Sequence, residues 1–263
     1  MINYQHLYFG VLAHGALVPS RIGDTYELQS VTVTCDAALR PTRKGMNKMI
    51  GYMELTQLLA GTYDQSAFTL VAPKAQLELF TYGMAYGPRI VGQMGEVVQL
   101  LRSDPTTRRA VVFVGGKADG LGSDQPCTSV IQFLRREGRT NAIVSMRSWD
   151  VVKGLPYDIT MFGGITQAVA AMVGDDPGEL SVTAGSAHIY LADLARPCRP
   201  TDKLIQYTLH VPTLDRWEDL AGWAQGFISP LDWVDGVPGY ITEKVIDTTA
   251  GFGGITELTG GTE

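Results

Sequence analysis

Apolar residues recur along this chain at two different periods, and each change of period marks an element. Tyr4, Leu7, Tyr8, Val11 and Leu12 fall three and four apart, which predicts a helix over 4–14 that Gly15 stops. The turn-forming PSRIGD at 19–24 leads into YELQSVTVTCDA, whose alternation predicts a strand. Met46, Met49, Ile50 and Met53 form one stripe of a helix predicted over 45–60 and closed by Gly61. Glu54 stands on the row of Ile50 and Leu58, so a carboxyl group projects among core side chains. Val91, Met94, Val97, Val98 and Leu101 predict a second amphipathic helix over about 91–103. Three strands follow, AVVFVG, SVIQFLRR and NAIVSMRS, and then 159–173, apolar almost all round, predicts a helix buried in mid-domain. ELSVTAGSAHIYL and KLIQYTLHV near 203–211 read as further strands, and WEDLAGWAQGF as a surface helix. The Gly- and Thr-rich stretch from about 250 to 263 is expected to be a flexible tail. With no repeat, long linker or shift of composition, the expectation is one mixed α/β (α+β) domain over 1–263.

Composition narrows the function classes. A chain of 263 residues, 45% hydrophobic, can bury a large core. A net charge of −6 supplies no basic stripe for a phosphate backbone, so no nucleic-acid partner is expected, and any phosphate must be held by a local arginine cluster. The three cysteines, Cys35, Cys127 and Cys198, form no CxxC pair and no His/Cys cluster of metal-ligand spacing, so neither a disulfide framework nor a metal is expected. MINYQHLYFG lacks the pattern of a signal peptide, and no stretch reaches the ~18 apolar residues of a membrane span. The expected location is the cytoplasm.

Several side chains could carry chemistry. Cys127, after Asp124, Gln125 and Pro126, opens a predicted strand, and Arg108, Arg109 and Arg147 are cations that could lower a thiol pKa. The alternative is a buried structural cysteine; Cys198, in RPCRP, shows how little a Pro-Cys pair proves. Arg108 and Arg109, after SDPTT, read either as a solvated turn or, since adjacent residues on a strand point to opposite faces and cannot easily reach one phosphate within one subunit, as a pair of which one or both reach a neighbouring subunit. Arg147-Ser148 offers a donor fork and a hydroxyl suited to phosphate. Burial would raise the Glu54 pKa into an acid/base range, unless its head lies in water. His188 and Tyr190 share one strand face and could bond a sugar hydroxyl, whereas His6, His14 and His210 read as structural.

In their order these pieces resemble the thymidylate synthase family. The resemblance runs from about residue 19 to 195, through SRIGDT with Arg21, the helix around Glu54, AYGPRI with Tyr86, LRSDPTTRRAVV, DQPC, MRSWDVVKGLPYDI and GSAHIYL. It implies a homodimer built on a large twisted mixed sheet whose face forms the interface. Arg21, Arg147 and Ser148 would bind the nucleotide phosphate, and Arg108 and Arg109 would reach it from the partner subunit. Cys127 would attack C6 of the pyrimidine, and Glu54 with Tyr86 would manage protons through water. His188 and Tyr190 would hold the sugar 3′-hydroxyl, and Asp150 would contact the pterin of the cosubstrate 5,10-methylenetetrahydrofolate.

One departure bears on the substrate. Where the family carries a uracil-binding asparagine in G-x-P-F-N, this chain has Asp158 in GLPYDI. An amide matches the N3–H and O4 of uracil; a carboxylate cannot donate to O4. A carboxyl sharing a proton with N3 can also accept from the amino group of cytosine, so Asp158 points to a cytosine nucleotide. An unmatched buried polar pair costs about 1–3 kcal/mol, enough for a ten- to hundred-fold preference. The resemblance then narrows to the cytidylate hydroxymethylases, in which water completes the reaction. Thr128, Met146 and Ser186 also replace a family histidine, glutamine and aspartate. Ser148 and Tyr190 follow the deoxynucleotide pattern, so dCMP is expected over CMP. The competing readings are a divergent enzyme that methylates dUMP, and a catalytically inactive nucleotide-binding regulatory dimer.

Overall fold

The computed structural model describes residues 4–72, 85–116, 119, 125–195 and 198–247. The expected tail at 250–263 and Asp124 lie outside the described residues. The chain begins with helix α1 (Tyr4–His14), as predicted, and hairpin strands β1 (Ala16–Val18) and β2 (Thr25–Asp36). Strand β3 (Leu39–Arg43) and helices α2 (Lys48–Ala60), α3 (Gln65–Val71) and α4 (Gly87–Ser103) follow. Strands β4 (Val111–Phe113), β5 (Thr128–Arg136), β6 (Arg139–Met146) and β7 (Trp149–Asp150) lead to helix α5 (Leu155–Val173). Strand β8 (Asp176–Tyr190), helix α6 (Leu191–Leu194), strand β9 (Pro200–Leu209), helix α7 (Trp217–Gln225) and strand β10 (Ile241–Asp247) complete it.

Seven strands form one large mixed sheet in the order β1-β2-β8-β6-β5-β4, with β7 beside β8. The β6–β8 and β7–β8 pairings are parallel and the others antiparallel. A three-stranded antiparallel sheet, β10-β9-β3, lies apart from it. The mixed α/β architecture read from the sequence is therefore present.

Alternation along the central strands separates two faces. Leu180, Val182 and Ala184 of β8 and Ala142 and Val144 of β6 are buried, on the side covered by α5. On the opposite side Thr32 meets Thr183 at 3.0 Å and Thr34 meets Ser181 at 2.9 Å, and Ile143 and Phe113 stand exposed, Phe113 at 61%. No helix among the described residues covers this second face.

Helix α5 packs closely against α2 through Gly164 and against the β2–β3 connection and β9 through Gly163. A Cβ on Gly164 would sit 2.4 Å from Leu55 Cδ2, and one on Gly163 would sit 2.3 Å from Ala37 O and Tyr207 Oη. At Gly163 the backbone carbonyl of Ala37 leaves no room for a Cβ, while at Gly164 the side chain of Leu55, the neighbour of Glu54, would have to move.

Several predicted boundaries are corrected. The helix predicted from 45 starts at Lys48 because the Asn47 side chain accepts the Met49 amide and caps it. Helix α4 starts four residues before the predicted 91, and α5 four before 159, each with a proline in its first turn. Arg108 and Arg109 precede β4 in an irregular segment, so the alternation argument for them does not apply. No helix among the described residues is long and apolar enough to cross a membrane.

Candidate active site

Several of the predicted residues, Cys127, Arg147 and Asp158 among them, converge where the C-terminal end of β6, the start of β5 and the first turn of α5 meet. Cys127 lies one residue before β5, and its carbonyl accepts the Arg147 amide at 2.8 Å. Arg147 Nη2 donates to Gln125 O at 2.8 Å and Nε to Pro126 O at 3.3 Å, which anchors the exposed guanidinium beside the thiol. The Cys127 pKa is raised on balance: burial comes first, Arg147 is the charge that opposes it, and Asp158 and Asp150 add to the rise. Cys35 differs: it is buried and pushed up to about 12, by desolvation first and then by the charge of Asp36.

Asp158 lies in the first turn of α5 because Pro156 starts the helix. Its Oδ2 accepts Trp149 Nε1–H at 3.0 Å, the one hydrogen bond this carboxyl makes among the described residues. Burial, partly offset by that bond and reinforced by Asp150, raises its pKa to about 7. Gly154 allows a close approach here, since a Cβ would lie a tight 3.0 Å from both Asp158 Oδ2 and Asp150 O.

Glu54 sits across from it on α2. It is partly exposed, yet its carboxyl has no hydrogen bond or ion pair among the described residues. Desolvation first and the charge of Asp158 second push its pKa up to about 8. The Asp158 charge thus raises Glu54, while Asp150 is the charge that raises Asp158, and both carboxyls are drawn toward the neutral range.

Tyr86, the residue before α4, completes this group. Its hydroxyl oxygen accepts both the Thr128 amide at 3.3 Å and Thr128 Oγ1–H at 3.1 Å. With two bonds accepted, its own proton is left to donate into the site. Burial, Asp158 and Cys127 raise its pKa. Thr128, a departure from the family pattern, thus holds Tyr86 by two bonds.

Asp150 and His188 are register partners across β7 and β8. Asp150 Oδ1 accepts the Val152 and Lys153 amides at 2.8 Å each, and burial raises its pKa against those bonds and His188. His188 is buried and packs edge-on against Tyr190 at 5.0 Å, so the pair shares one strand face as predicted. Thr25 pairs with Tyr190 and the Leu191 amide donates to Asp24 O at 3.0 Å, which ties the loop carrying exposed Arg21 to this end of β8. Ser148, partly exposed, links β6 to β7.

Arg108 and Arg109 do not join the site within one chain. Both are exposed, and Arg109 Nη2 reaches Asp104 at 3.2 Å across solvent. Sequence reasoning missed two participants. Trp149 donates to Asp158, and Lys153 lies 5.0 Å over the Tyr190 ring while pairing with Asp193 at 2.7 Å. A tryptophan two residues past a strand-end arginine was the available signal for the first; none marked the second.

The model of the thymidylate synthase family matches residues 52–215, which includes every site residue above except Arg21. The thymidylate synthases of Listeria monocytogenes serovar 1/2a and Listeria innocua serovar 6a are each 30% identical over 101 residues, 38% of this chain and 32% of theirs. The aligned stretch therefore spans about a third of those relatives' length.

Proposed function

Because the chain belongs to the thymidylate synthase family, we propose that it is a folate-dependent one-carbon transferase that hydroxymethylates C5 of a cytosine nucleotide, dCMP. The observation that carries this reading is Asp158: a desolvated carboxyl that sits beside the candidate nucleophile and holds its proton near neutrality. A protonated carboxyl presents O–H and C=O together, complementary to N3 and the amino group of cytosine.

The nucleotide phosphate is assigned to Arg21, Arg147 and Ser148, with Arg108 and Arg109 supplied by the partner subunit. The exposed arginine pair and the uncovered, hydroxyl-lined sheet face support such a homodimer. His188 and Tyr190 receive the sugar 3′-hydroxyl, and Ser148 with Tyr190 favours the deoxy sugar.

Asp150 suits the pterin of methylenetetrahydrofolate. Both of its amide bonds fall on Oδ1, so Oδ2 remains for an incoming N–H. Bound folate supplies a one-carbon unit at the oxidation level of formaldehyde. The protein residues do the rest. Cys127 thiolate, favoured by Arg147, forms a bond to C6 and makes C5 nucleophilic. Glu54 accepts the C5 proton through water, and Tyr86 donates to that water. C5 would take the one-carbon unit as its bonds to the folate nitrogens break and tetrahydrofolate leaves; water would then add at that carbon, and expulsion of Cys127 as C5–C6 re-forms its double bond would restore the ring.

The test offers C5-tritiated dCMP, CMP and dUMP separately with methylenetetrahydrofolate, and weighs the product. Release from dCMP with a gain of CH₂O is expected. Release from dUMP with a gain of CH₂ would instead identify a methylating enzyme, and inactivity on all three an inactive binding dimer.

A further inference from the structure

Trp149 is 1% exposed, and strand β7 fixes its backbone against Ala187 of β8. An indole has one polar atom and it only donates. Here that N–H points at Asp158 Oδ2 from 3.0 Å. A buried donor needs an acceptor, and a carbonyl-type oxygen accepts far better than an acid O–H oxygen. Trp149 therefore makes the two carboxyl oxygens unequal, with Oδ2 the acceptor and Oδ1 the atom that carries the proton.

We propose that Trp149 is a specificity-determining positioning residue that polarises Asp158, through its indole N–H, into the protonation pattern that pairs with cytosine. The inference rests on the cytosine reading of Asp158. Cytosine needs a donor at N3 and an acceptor for its amino group. Oδ1–H supplies the donor, and the second lone pair of Oδ2 supplies the acceptor. Uracil needs the reverse pattern, an acceptor for N3–H and a donor to O4. That pattern would place the proton on Oδ2, where the indole N–H faces it. Asp158 alone could serve either base by exchanging which oxygen is protonated, and Trp149 removes that choice. No proton is consumed or released by this effect, since only its position on the carboxyl is set.

Trp149→Phe keeps the buried ring and deletes the donor. The expected result is a fall of about tenfold in the ratio of kcat/KM for dCMP over dUMP, the size of one lost buried hydrogen bond. The Asp158 carboxylate also loses its one stabilising donor, so the alkaline limb of the dCMP profile moves to higher pH. An unchanged ratio and profile, with both substrates falling together, would make Trp149 a packing residue and overturn the proposal. Failure of the cytosine reading shows separately, as wild-type protein that turns over dUMP and not dCMP. In case the variant does not fold, the indole N–H resonances of the four tryptophans of the wild type provide a second measure. One of them must shift as pH crosses neutrality and stop responding to pH when dCMP is bound. If none does, the proposal fails.

Discussion

Two groups of partly buried acids in this molecule have opposite fates. Glu243 on β10 accepts from Arg40 at 2.5 Å, Lys48 at 2.8 Å and the Tyr52 hydroxyl. Desolvation raises its pKa, but those three partners together hold it below the ordinary carboxylate range. Glu54, only two residues beyond Tyr52 on the same helix, has no such partners and is pushed up to about 8; Asp158 has one donor and rises to about 7. Helix α2 thus presents one end to an ion pair that holds the fold and the middle to a carboxyl left unsatisfied. A satisfied carboxylate stabilises and is chemically quiet, whereas an unsatisfied one costs stability and can move protons near neutral pH.

Glu54→Gln should separate the two roles most sharply. Losing the proton carrier is expected to cut C5 tritium release by roughly 10²–10⁴. The same change should stabilise the fold in alkaline solution. The Glu54 pKa is raised on folding, so wild-type stability falls as pH rises from the unfolded value near 4 through about 8. The variant should gain ~1–2 kcal/mol, roughly 3–6 °C in Tm, at pH 9 and nothing at pH 4. Thermal melts at both pH values check this; a lower Tm at pH 9 would show that Glu54 is structural.

Glu243→Gln should do the reverse. It strands the Arg40 guanidinium, 3% exposed, with its Nε already unpartnered. A loss of about 3–5 kcal/mol is expected by urea unfolding, because a buried charge is left uncompensated. Tritium release per folded molecule should stay within a few-fold.

A smaller effect is expected at Asp175, which accepts Arg135 at 2.6 and 2.8 Å and Thr140 at 3.0 Å, and is lowered by Arg135 first. Its stabilisation, like that of Glu243, is present above the unfolded pKa and lost as pH falls through the folded one. Acid unfolding should therefore begin below about pH 4, and Asp175→Asn should flatten that limb by about 1 kcal/mol. Circular dichroism during acid titration measures it.

The sequence revealed the repeating elements and the chemistry-bearing residues, and missed what depends on contacts between distant segments. Period alone found α1, β2, β5, β6 and β8, because their buried faces are apolar at regular spacing. It missed β3 and β10, whose interior positions include Arg40 and Glu243, hidden only because they pair with each other. It started α5 at Ile159 because a first turn built on Leu155-Pro156 needs no apolar repeat, and so left Asp158 unplaced on a helix. Of the site, Cys127, Glu54, Tyr86, Asp150 and Asp158 were named in advance and are electrostatic neighbours in the fold. The indole of Trp149 was not, because its partner is set by the turn between β7 and α5.

The most direct test of the account is the substrate preference of Asp158→Asn. An amide matches uracil in place of cytosine, so kcat/KM for dCMP should fall and that for dUMP rise, reversing their order with a combined change of about a hundredfold or more. Loss of activity on both nucleotides in equal proportion, with the order retained, would contradict the assignment of Asp158 as the residue that reads the base.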